Sequence, residues 1–317
     1  MSNDVKQQSN PFSTGGGGVN FETRVQAAFA LSLLTKSCVP CLSQDMRAKE
    51  LKFQNKYDGV NTDDFVLVAT DKASNQSRLF AQIKHEITIS GAVDSMFAEV
   101  INSAWKDFQS TEFNVENDSI ALITGPLPKL DVNNTLPILE WAKYSSNSAD
   151  FIKKSKTKGF TSEAKVNKLN IFRAQLTVAN GGNAITDDEL WLFLKVFQLV
   201  SFDLDAKHSV VANLLCSLIE CYSDESPPLV LSKLVTCAQE FNQNAGTLTQ
   251  DNAPKEVKLL FDSTSKVNFE NDFLKLKERG DHIFDGISNT INGFHIDRAE
   301  QIAEISELYE VNDFIFV

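Results

Sequence analysis

The sequence predicts an α/β fold, with a central mixed sheet flanked by helices, followed by a mostly α-helical region. Three observations predict it. Apolar residues recur at helical spacing over residues 21–34. Short apolar runs between polar turn residues then follow over residues 51–85, which is typical of strands. Beyond residue 130 the apolar residues return to helical spacing, so we expect the sheet to lie mainly in the first half of the chain.

The predicted core begins with a helix and three strands. Asn20 is predicted to cap the helix, which puts Glu22 in its first turn. Asp58-Gly59 forms a turn that separates the first strand from the second. Residues 65–69 are continuously apolar and predict a buried central strand, and residues 78–85 supply the third strand.

A second helix and a fourth strand complete this core. Residues 97–108 place their apolar side chains on one helix face that would cover a sheet. Residues 119–125 form a short apolar strand that ends at Gly125-Pro126. Further helices are predicted in the segments ILEWAKY, DDELWLFLKVFQLV, HSVVANLLCSLIECY and PLVLSKLVTCAQEF.

Composition excludes a membrane protein and favours a globular one. The 317 residues are 42% hydrophobic, yet the longest apolar runs fall well short of the roughly 20 residues that span a bilayer. Residues 1–18 are polar and rich in Gly and Ser, without the apolar stretch of a signal peptide. They are predicted to form a flexible tail, and the protein is expected to be cytoplasmic.

The net charge of −12 bears on whether the protein binds nucleic acid. Affinity for a phosphate backbone comes largely from Lys and Arg. An acidic chain can therefore bind nucleic acid only through a part of the chain that is less acidic than the whole. Residues 1–130 hold 12 Lys or Arg and 15 Asp or Glu, a net charge of −3, so most of the acidity lies in the remainder. Contact between the first part of the chain and a phosphate backbone is therefore compatible with the charge.

Two neighbouring strands can aim an acid, an amide and an amine at one point. Alternation puts Asp64 on the same face of its strand as Val66, while Gln82 and Lys84 share a face of the next strand. Hydrolysis of a phosphodiester needs a divalent cation and a positive group near the phosphate. Asp64, Gln82 and Lys84 are therefore candidate catalytic residues.

Glu22 is a fourth candidate, because a carboxylate near the start of the first helix could reach a metal or simply cap the helix. Asp63 replaces Asp64 as the candidate if the strand register differs by one residue. His85 points to the opposite strand face from Lys84 and is weighed as a residue that touches DNA or a metal-bound water.

These residues carry a resemblance to a known family. The series GGxxFExRVQAAFALSLL, TDDFVLVAT, QIKH, FAEVINSAWKDF and ALITG resembles the PD-(D/E)xK, Mrr-like double-stranded DNA endonuclease domain that serves as effector in CBASS and Avs antiviral systems. The resemblance implies a restriction-endonuclease-like core and a site made of Glu22, Asp64, Gln82 and Lys84. It implies Mg²⁺, or Mn²⁺, held by Glu22, Asp64 and Gln82. Gln82 departs from the commoner acidic residue, which leaves the number of metal ions open.

The C-terminal segment carries a second resemblance. FDGISNTINGFHIDRAEQIAEISELYEVNDFIFV resembles the segment that leads into the ATPase of STAND-type antiviral proteins, with His295 and Arg298 in its "xGxHIxR" element. A P-loop, GxxxxGK[ST], should follow and does not occur in this sequence. ATP is therefore expected only through an NTPase outside this chain, and the alternative is a strand that completes a small sheet.

Together the two resemblances predict an organisation and a function. The predicted parts are a tail (1–18), a nuclease domain (19–225, with its core at 19–130), a helical linker region (226–285) and the start of a STAND NTPase (286–317). The expected function is a nuclease of low sequence specificity, activated as a homo-oligomer, a dimer or tetramer, by a sensor region that recognises a phage protein. Two alternatives are a catalytically decayed adaptor domain and a restriction-type enzyme with its own target sequence.

Overall fold

The computed structural model describes residues 16–54, 59–206, 208–261, 274–279, 290–291, 294–295 and 303. The chain divides into two compact units, residues 1–266 and residues 267–317. In the second unit, β7 (Thr290–Ile291) pairs antiparallel with β8 (Phe294–His295). Apart from residue 303, the rest of the predicted NTPase segment, with Arg298, lies outside the described residues.

The first unit is an α/β fold built on a six-stranded mixed sheet, as the sequence predicted. Its strand order is β5-β4-β3-β2-β1-β6. The pairs β6–β1, β1–β2 and β2–β3 are antiparallel, and the pairs β3–β4 and β4–β5 are parallel. The strands are β1 (Arg47–Phe53), β2 (Phe65–Thr70), β3 (Gln76–Lys84), β4 (Ser119–Thr124), β5 (Phe197–Ser201) and β6 (Thr247–Thr249).

Helices cover both faces of the sheet. The helices are α1 (Gly16–Leu34), α2 (Met96–Phe108), α3 (Lys129–Lys143), α4 (Ser148–Lys156), α5 (Glu163–Ala179), α6 (Asp187–Val196), α7 (Val210–Tyr222), α8 (Pro227–Gln243) and α9 (Lys255–Lys258). In the part of the chain that the structure describes, none of them combines the length and the apolar character needed to span a bilayer.

The alternation of side chains along β2 creates two separate cores. Phe65, Leu67 and Ala69 point to one face and pack with apolar residues of α1 and α8. Val66 points to the other face and packs with Phe80 of β3 and with residues of α2, α3, α5 and α6. The sheet is therefore buried on both sides, which explains why the β2 sequence is apolar without interruption.

The first helix begins earlier than predicted. It is described from Gly16, so Asn20 lies inside the helix and not at its cap, and Glu22 lies beyond the first turn. The predicted flexible tail, residues 1–18, is accordingly too long by at least three residues. The four consecutive glycines led to the prediction of a flexible tail, because glycine has a low helix propensity. Packing of the apolar face of α1 outweighs that propensity.

The segment DDELWLFLKVFQLV was predicted to be one helix, and this was wrong in its second half. Thr186 and Glu189 form a capping box that starts α6, and the helix ends at Val196. Residues Phe197–Ser201 then form β5, which pairs in parallel with β4. A short apolar run beside a helix has no periodic signal of its own, so its pairing with β4 decides its conformation.

The predicted boundary between residues 225 and 226 also differs from the structure. The first compact unit continues to residue 266. Val230 and Leu234 of α8 are fully buried in the same core as α1, and β6 pairs with β1 at the edge of the sheet. Residues 226–261 are therefore part of the sheet-containing unit rather than a linker.

Candidate functional site

Asp64 and Gln82 meet where β2 begins and β3 ends. The antiparallel register pairs Phe65 with Ala81, which brings Asp64 opposite Gln82. Gln82 Nε2 donates to Asp64 Oδ2 at 3.1 Å and to Asp63 Oδ1 at 3.3 Å. Both candidate acids at this position thus contact the same amide.

Asp64 is a buried carboxylate with only 8% of its surface exposed. Its Oδ2 accepts a hydrogen bond from the backbone N–H of Ile83. Burial raises the pKa of Asp64 to about 6; the Ile83 hydrogen bond lowers it in part, and the nearby Glu22 carboxylate raises it further. Asp64 therefore carries negative charge at neutral pH in a place where that charge is poorly solvated.

Glu22 approaches Asp64 from α1. Its Oε1 accepts hydrogen bonds from Gln26 Nε2 at 3.1 Å and from Asn242 Nδ2 at 3.2 Å. Burial raises the pKa of Glu22, while the Asn242 hydrogen bond and the ammonium of Lys84 lower it in part. Two poorly solvated carboxylates close to each other favour a cation nearby.

A group of side-chain amides fixes Glu22. Gln26 is fully buried, and its Nε2 also reaches the backbone oxygen of Asp64 at 3.2 Å. Gln54 Nε2 donates to Asn242 Oδ1 at 3.0 Å. Because Asn242 belongs to α8 and Gln54 follows β1, three separate parts of the chain hold the Glu22 carboxylate in place.

Asp64, Gln82 and Lys84 line one small cleft of about 210 Å³. Lys84 lies at the end of β3 and is half-buried. Glu22 is absent from the lining of this cleft but lies close enough to raise the pKa of Asp64. The full lining consists of Asp63, Asp64, Gln82, Lys84, Glu99, Val100 and Ser103.

Sequence reasoning missed the contribution of α2 to this cleft. Glu99 and Ser103 lie one helical turn apart and both face it. The signal was present, because both are polar residues on the side of α2 that its buried residues, such as Phe97 and Ile101, leave free. Asn242 and Gln54 gave no comparable signal, because neither lies near the motif residues in the sequence.

His85 takes part in a different set of contacts. Its Nε2 lies 2.9 Å from Asp205 Oδ2, and Arg24 Nη1 lies 2.6 Å from the other oxygen of the same carboxylate. Its ring packs edge-on against Phe21. These contacts tie the end of β3 to α1 and to the loop after β5, so His85 supports the strand that carries Lys84.

Gly125 allows the ends of β3 and β4 to approach closely. Its N–H donates to the backbone oxygen of His85 at 3.1 Å, and an added Cβ would lie 2.6 Å from that oxygen. We expect Gly125→Ala to separate the strand ends and to lower the free energy of unfolding by about 1–3 kcal/mol. Chemical denaturation measures this.

Gly91→Ala is the matched control, because its added Cβ would make only an ordinary contact, 3.7 Å from Ile171. The control is expected to change the free energy of unfolding by less than about 0.5 kcal/mol. Equal stability of the two variants would show that the close approach of β3 and β4 at Gly125 does not require a glycine.

Comparison with known proteins gives no family. No family model matches the sequence, and no curated protein matches it. The Acinetobacter baumannii Cap4 SAVED/CARF-domain containing receptor with the cyclic trinucleotide 3'3'3'-cAAA superposes with a TM-score of 0.40 at 10% identity, over 77% of this chain and 49% of the receptor. The same receptor alone gives 0.40 at 10%, over 77% and 48%. The chain thus spans about half the length of these receptors, and a superposition this loose does not carry their ligand over to it.

The oxygen donors of the site suit a hard divalent cation. Among the described residues, no three His, Cys, Asp or Glu side chains converge closely enough to form a metal site by themselves. Mg²⁺ needs fewer protein side chains than three, because it commonly binds through one or two carboxylates and completes its coordination shell with water and substrate phosphate. Asp64, with the Glu22 carboxylate nearby and the Gln82 amide opposite, is a donor set of this kind.

Proposed function

We propose that this chain is a metal-dependent endonuclease of the PD-(D/E)xK type that cuts double-stranded DNA with low sequence specificity. The observation that carries the proposal is the convergence of Asp64, Gln82 and Lys84 on one small polar cleft at the end of a mixed sheet. These are the residues on which the sequence resemblance depends, and nothing in the local sequence alone requires strands β2 and β3 to bring them together.

The donor set would hold Mg²⁺, or Mn²⁺ in its place. Asp64 and Glu22 would supply carboxylate oxygens, with Asp63 as the alternative to Asp64. Gln82 would supply its amide oxygen, which requires a half-turn of the amide, since Nε2 faces both aspartates in the structure. When bound, the ion supplies charge neutralisation at the phosphate and lowers the pKa of a coordinated water.

The protein's own residues would act on the substrate and the nucleophile. Lys84 would bring its ammonium to the scissile phosphate or to the attacking water, and stabilise the negative charge that develops there. Such a charge acts more strongly in a partly buried cleft than in open water, because the cleft has a lower dielectric constant. Gln26 and Asn242 would hold Glu22 in its orientation.

We further propose that the domain is an effector of bacterial antiphage defence, gated by assembly. The sequence resemblance to CBASS and Avs effectors supports this role. A sensor region with a STAND NTPase would bring dimers or tetramers together, so that two sites act across one duplex. Full-rate cutting by an isolated monomer at high dilution would contradict the gating.

The test of the nuclease is a cleavage assay with Lys84→Ala. Purified protein is incubated with plasmid and linear duplex DNA in Mg²⁺ or Mn²⁺ over a range of protein concentrations. Wild type is expected to degrade both substrates, and loss of the Lys84 ammonium is expected to slow cleavage by about 10²-fold or more.

Lys72→Ala is the control, because Lys72 is exposed in the turn at the far end of β2 and β3. It should cut like wild type. Discrete fragments from wild type would indicate a restriction-type enzyme. No cutting by wild type at any concentration, together with a thermal stability that does not respond to Mg²⁺, would favour the adaptor function instead.

A further inference from the structure

Six lysines are concentrated between residues 151 and 168. This segment covers the end of α4, the turn that follows and the first part of α5, and it contains a single acidic residue, Glu163, for a net charge of +5. The whole chain has a net charge of −12. A concentration of positive charge on an otherwise acidic protein predicts a specific electrostatic partner.

Three of the six lysines have a charged or aromatic partner among the described residues, and three do not. Lys154 pairs with Asp150, Lys168 pairs with Asp131, and the Lys165 ammonium lies over the ring of Trp141. The other three are exposed and enter no ion pair among the described residues; they are Lys153, Lys156 and Lys158, here called the α4 lysines. Favourable interaction with the α4 dipole accounts for lysines in its last turn but not for Lys158, which lies beyond the helix.

The turn that carries Lys158 has a defined conformation. The backbone N–H groups of Phe160 and Thr161 both donate to the oxygen of Thr157, and Gly159 has a positive φ of 86°. The Phe160 ring packs on the ring of Trp141 with 5.0 Å between centroids. The lysines of this turn are therefore presented from an ordered surface, which lowers the entropy lost when they bind.

Helix α5 connects this surface to the candidate site. Lys168 Nζ donates to the backbone oxygen of Ile89 at 2.9 Å, and Gln175 Nε2 donates to those of Ser90 and Ala92 at 2.9 and 3.0 Å. These three oxygens belong to the loop that leads from Lys84 on β3 to Glu99 on α2. Helix α5 is thus fixed to the segment between two residues of the cleft.

The distance between the two places is within the reach of a DNA duplex. From Lys168 to the start of α5 is about 8 Å at the helical rise, and the stretches from there to Lys158 and from Ile89 to Lys84 are each at most about 17 Å of chain. With the length of the Lys168 side chain and its hydrogen bond included, Lys158 lies at most about 55 Å from Lys84, which is roughly one and a half turns of B-DNA. A duplex of that length that places a phosphate at Lys84 is therefore long enough to reach the α4 lysines.

We propose that the α4 lysines bind the phosphate backbone of double-stranded DNA and hold the duplex across the cleft. This inference rests on the proposed nuclease function and adds the surface that supplies affinity. Lysine recognises phosphate as a point charge and does not distinguish bases, which agrees with low sequence specificity. An acidic protein partner is the competing occupant, and the binding experiment separates the two.

The experiment measures duplex binding by fluorescence anisotropy in EDTA, where no cleavage occurs, over a range of salt concentrations. The triple variant Lys153→Gln, Lys156→Gln, Lys158→Gln is compared with wild type. We expect its affinity at low salt to fall by about 10- to 100-fold, and the slope of log K against log salt to flatten by about 2 to 3. In Mg²⁺, its KM for DNA should rise while kcat stays within about twofold of wild type.

A second triple variant controls for net charge: Lys49→Gln, Lys72→Gln, Lys255→Gln, three exposed lysines elsewhere in the first unit. It should bind like wild type. Unchanged binding by the first triple, equal losses in both triples, or no duplex binding by wild type would each overturn the proposed surface.

The two proposals fail in different ways. If Lys84→Ala stops cleavage while the first triple binds normally, the surface is wrong and the nuclease stands. If wild type binds DNA through the α4 lysines but never cuts, the surface stands and the nuclease is wrong.

Discussion

Asp64→Asn is expected to abolish cleavage and at the same time to stabilise the folded protein in EDTA. The loss of activity should reach about 10³-fold or more, because the substitution removes the carboxylate most central to the proposed metal site. The gain in stability follows from burial. A carboxylate with a raised pKa destabilises the fold when it ionises, and asparagine removes that charge while its oxygen can still accept from the Ile83 N–H.

The stabilisation should depend on pH with a definite sign. The pKa of Asp64 is about 6 in the folded protein, against an ordinary value of 3.8, so the folded state binds the proton more tightly. The wild-type free energy of unfolding therefore falls as pH rises between these two values. The difference between Asp64→Asn and wild type should grow by about 2 kcal/mol between pH 4.5 and pH 8.

Urea denaturation in EDTA at several pH values measures this difference. Addition of Mg²⁺ should stabilise wild type at pH 8 and stabilise Asp64→Asn much less, since the substitution removes one of the two carboxylates proposed to hold the ion. Asp71→Asn serves as the control, because Asp71 lies at the other end of β2 and its pKa is lowered by its hydrogen bonds to Asn75. A stability difference for Asp64→Asn that does not change with pH would refute the interpretation of Asp64 as a buried, destabilising charge.

Asp107→Ala is expected to cause the largest loss of stability among single changes near the cleft, about 3–4 kcal/mol. Asp107 lies at the end of α2 and is buried. Its carboxylate accepts from the Asn61 N–H at 2.7 Å, the Asn61 side-chain amide at 2.9 Å and the Thr62 N–H at 2.6 Å. Alanine leaves these three donors without an acceptor.

The same change should reduce cleavage, because residues 61 and 62 lead directly into Asp63 and Asp64. Asp107→Asn keeps one oxygen acceptor and should fall between wild type and Asp107→Ala in the free energy of unfolding. Asp94→Ala, an exposed carboxylate just before α2, should remain within about 0.5 kcal/mol of wild type. If Asp107→Ala were as stable as that control, Asp107 would have no part in holding the loop.

The helices and strands of the core could be predicted where burial determines which positions of the sequence are apolar. Strand β2 is apolar throughout because both of its faces are covered, and α2 keeps its apolar residues on one face because only one face is covered. Alternation also predicted that Gln82 and Lys84 share one face of β3. Local patterns were sufficient for these features because short-range geometry determines them. The register that brings Asp64 opposite Gln82 was left open by one residue, with Asp63 as the alternative, because it depends on how the two strands pair.

The surroundings of the site could not be predicted in the same way. Gln26 is one of several polar residues on α1, and the contacts of its amide with Glu22 and the Asp64 backbone depend on how α1 crosses the sheet. Strand β5 was read as helix because its conformation depends on β4, more than 70 residues earlier. Long-range packing decides such features, and a single sequence gives little information on long-range packing.

The bond between Glu22 and Asn242 joins residues 220 positions apart and has a consequence for synthesis of the protein. All four predicted site residues are made within the first 84 positions, but α8, which carries Asn242, and β6, which borders β1, come near the end of the sheet-containing unit. A nascent or truncated chain that ends before Asn242 lacks the packing that orients Glu22. On the proposed nuclease function, incomplete chains are therefore expected not to cut DNA in the cell that makes them, because the site forms only when nearly the whole unit is present.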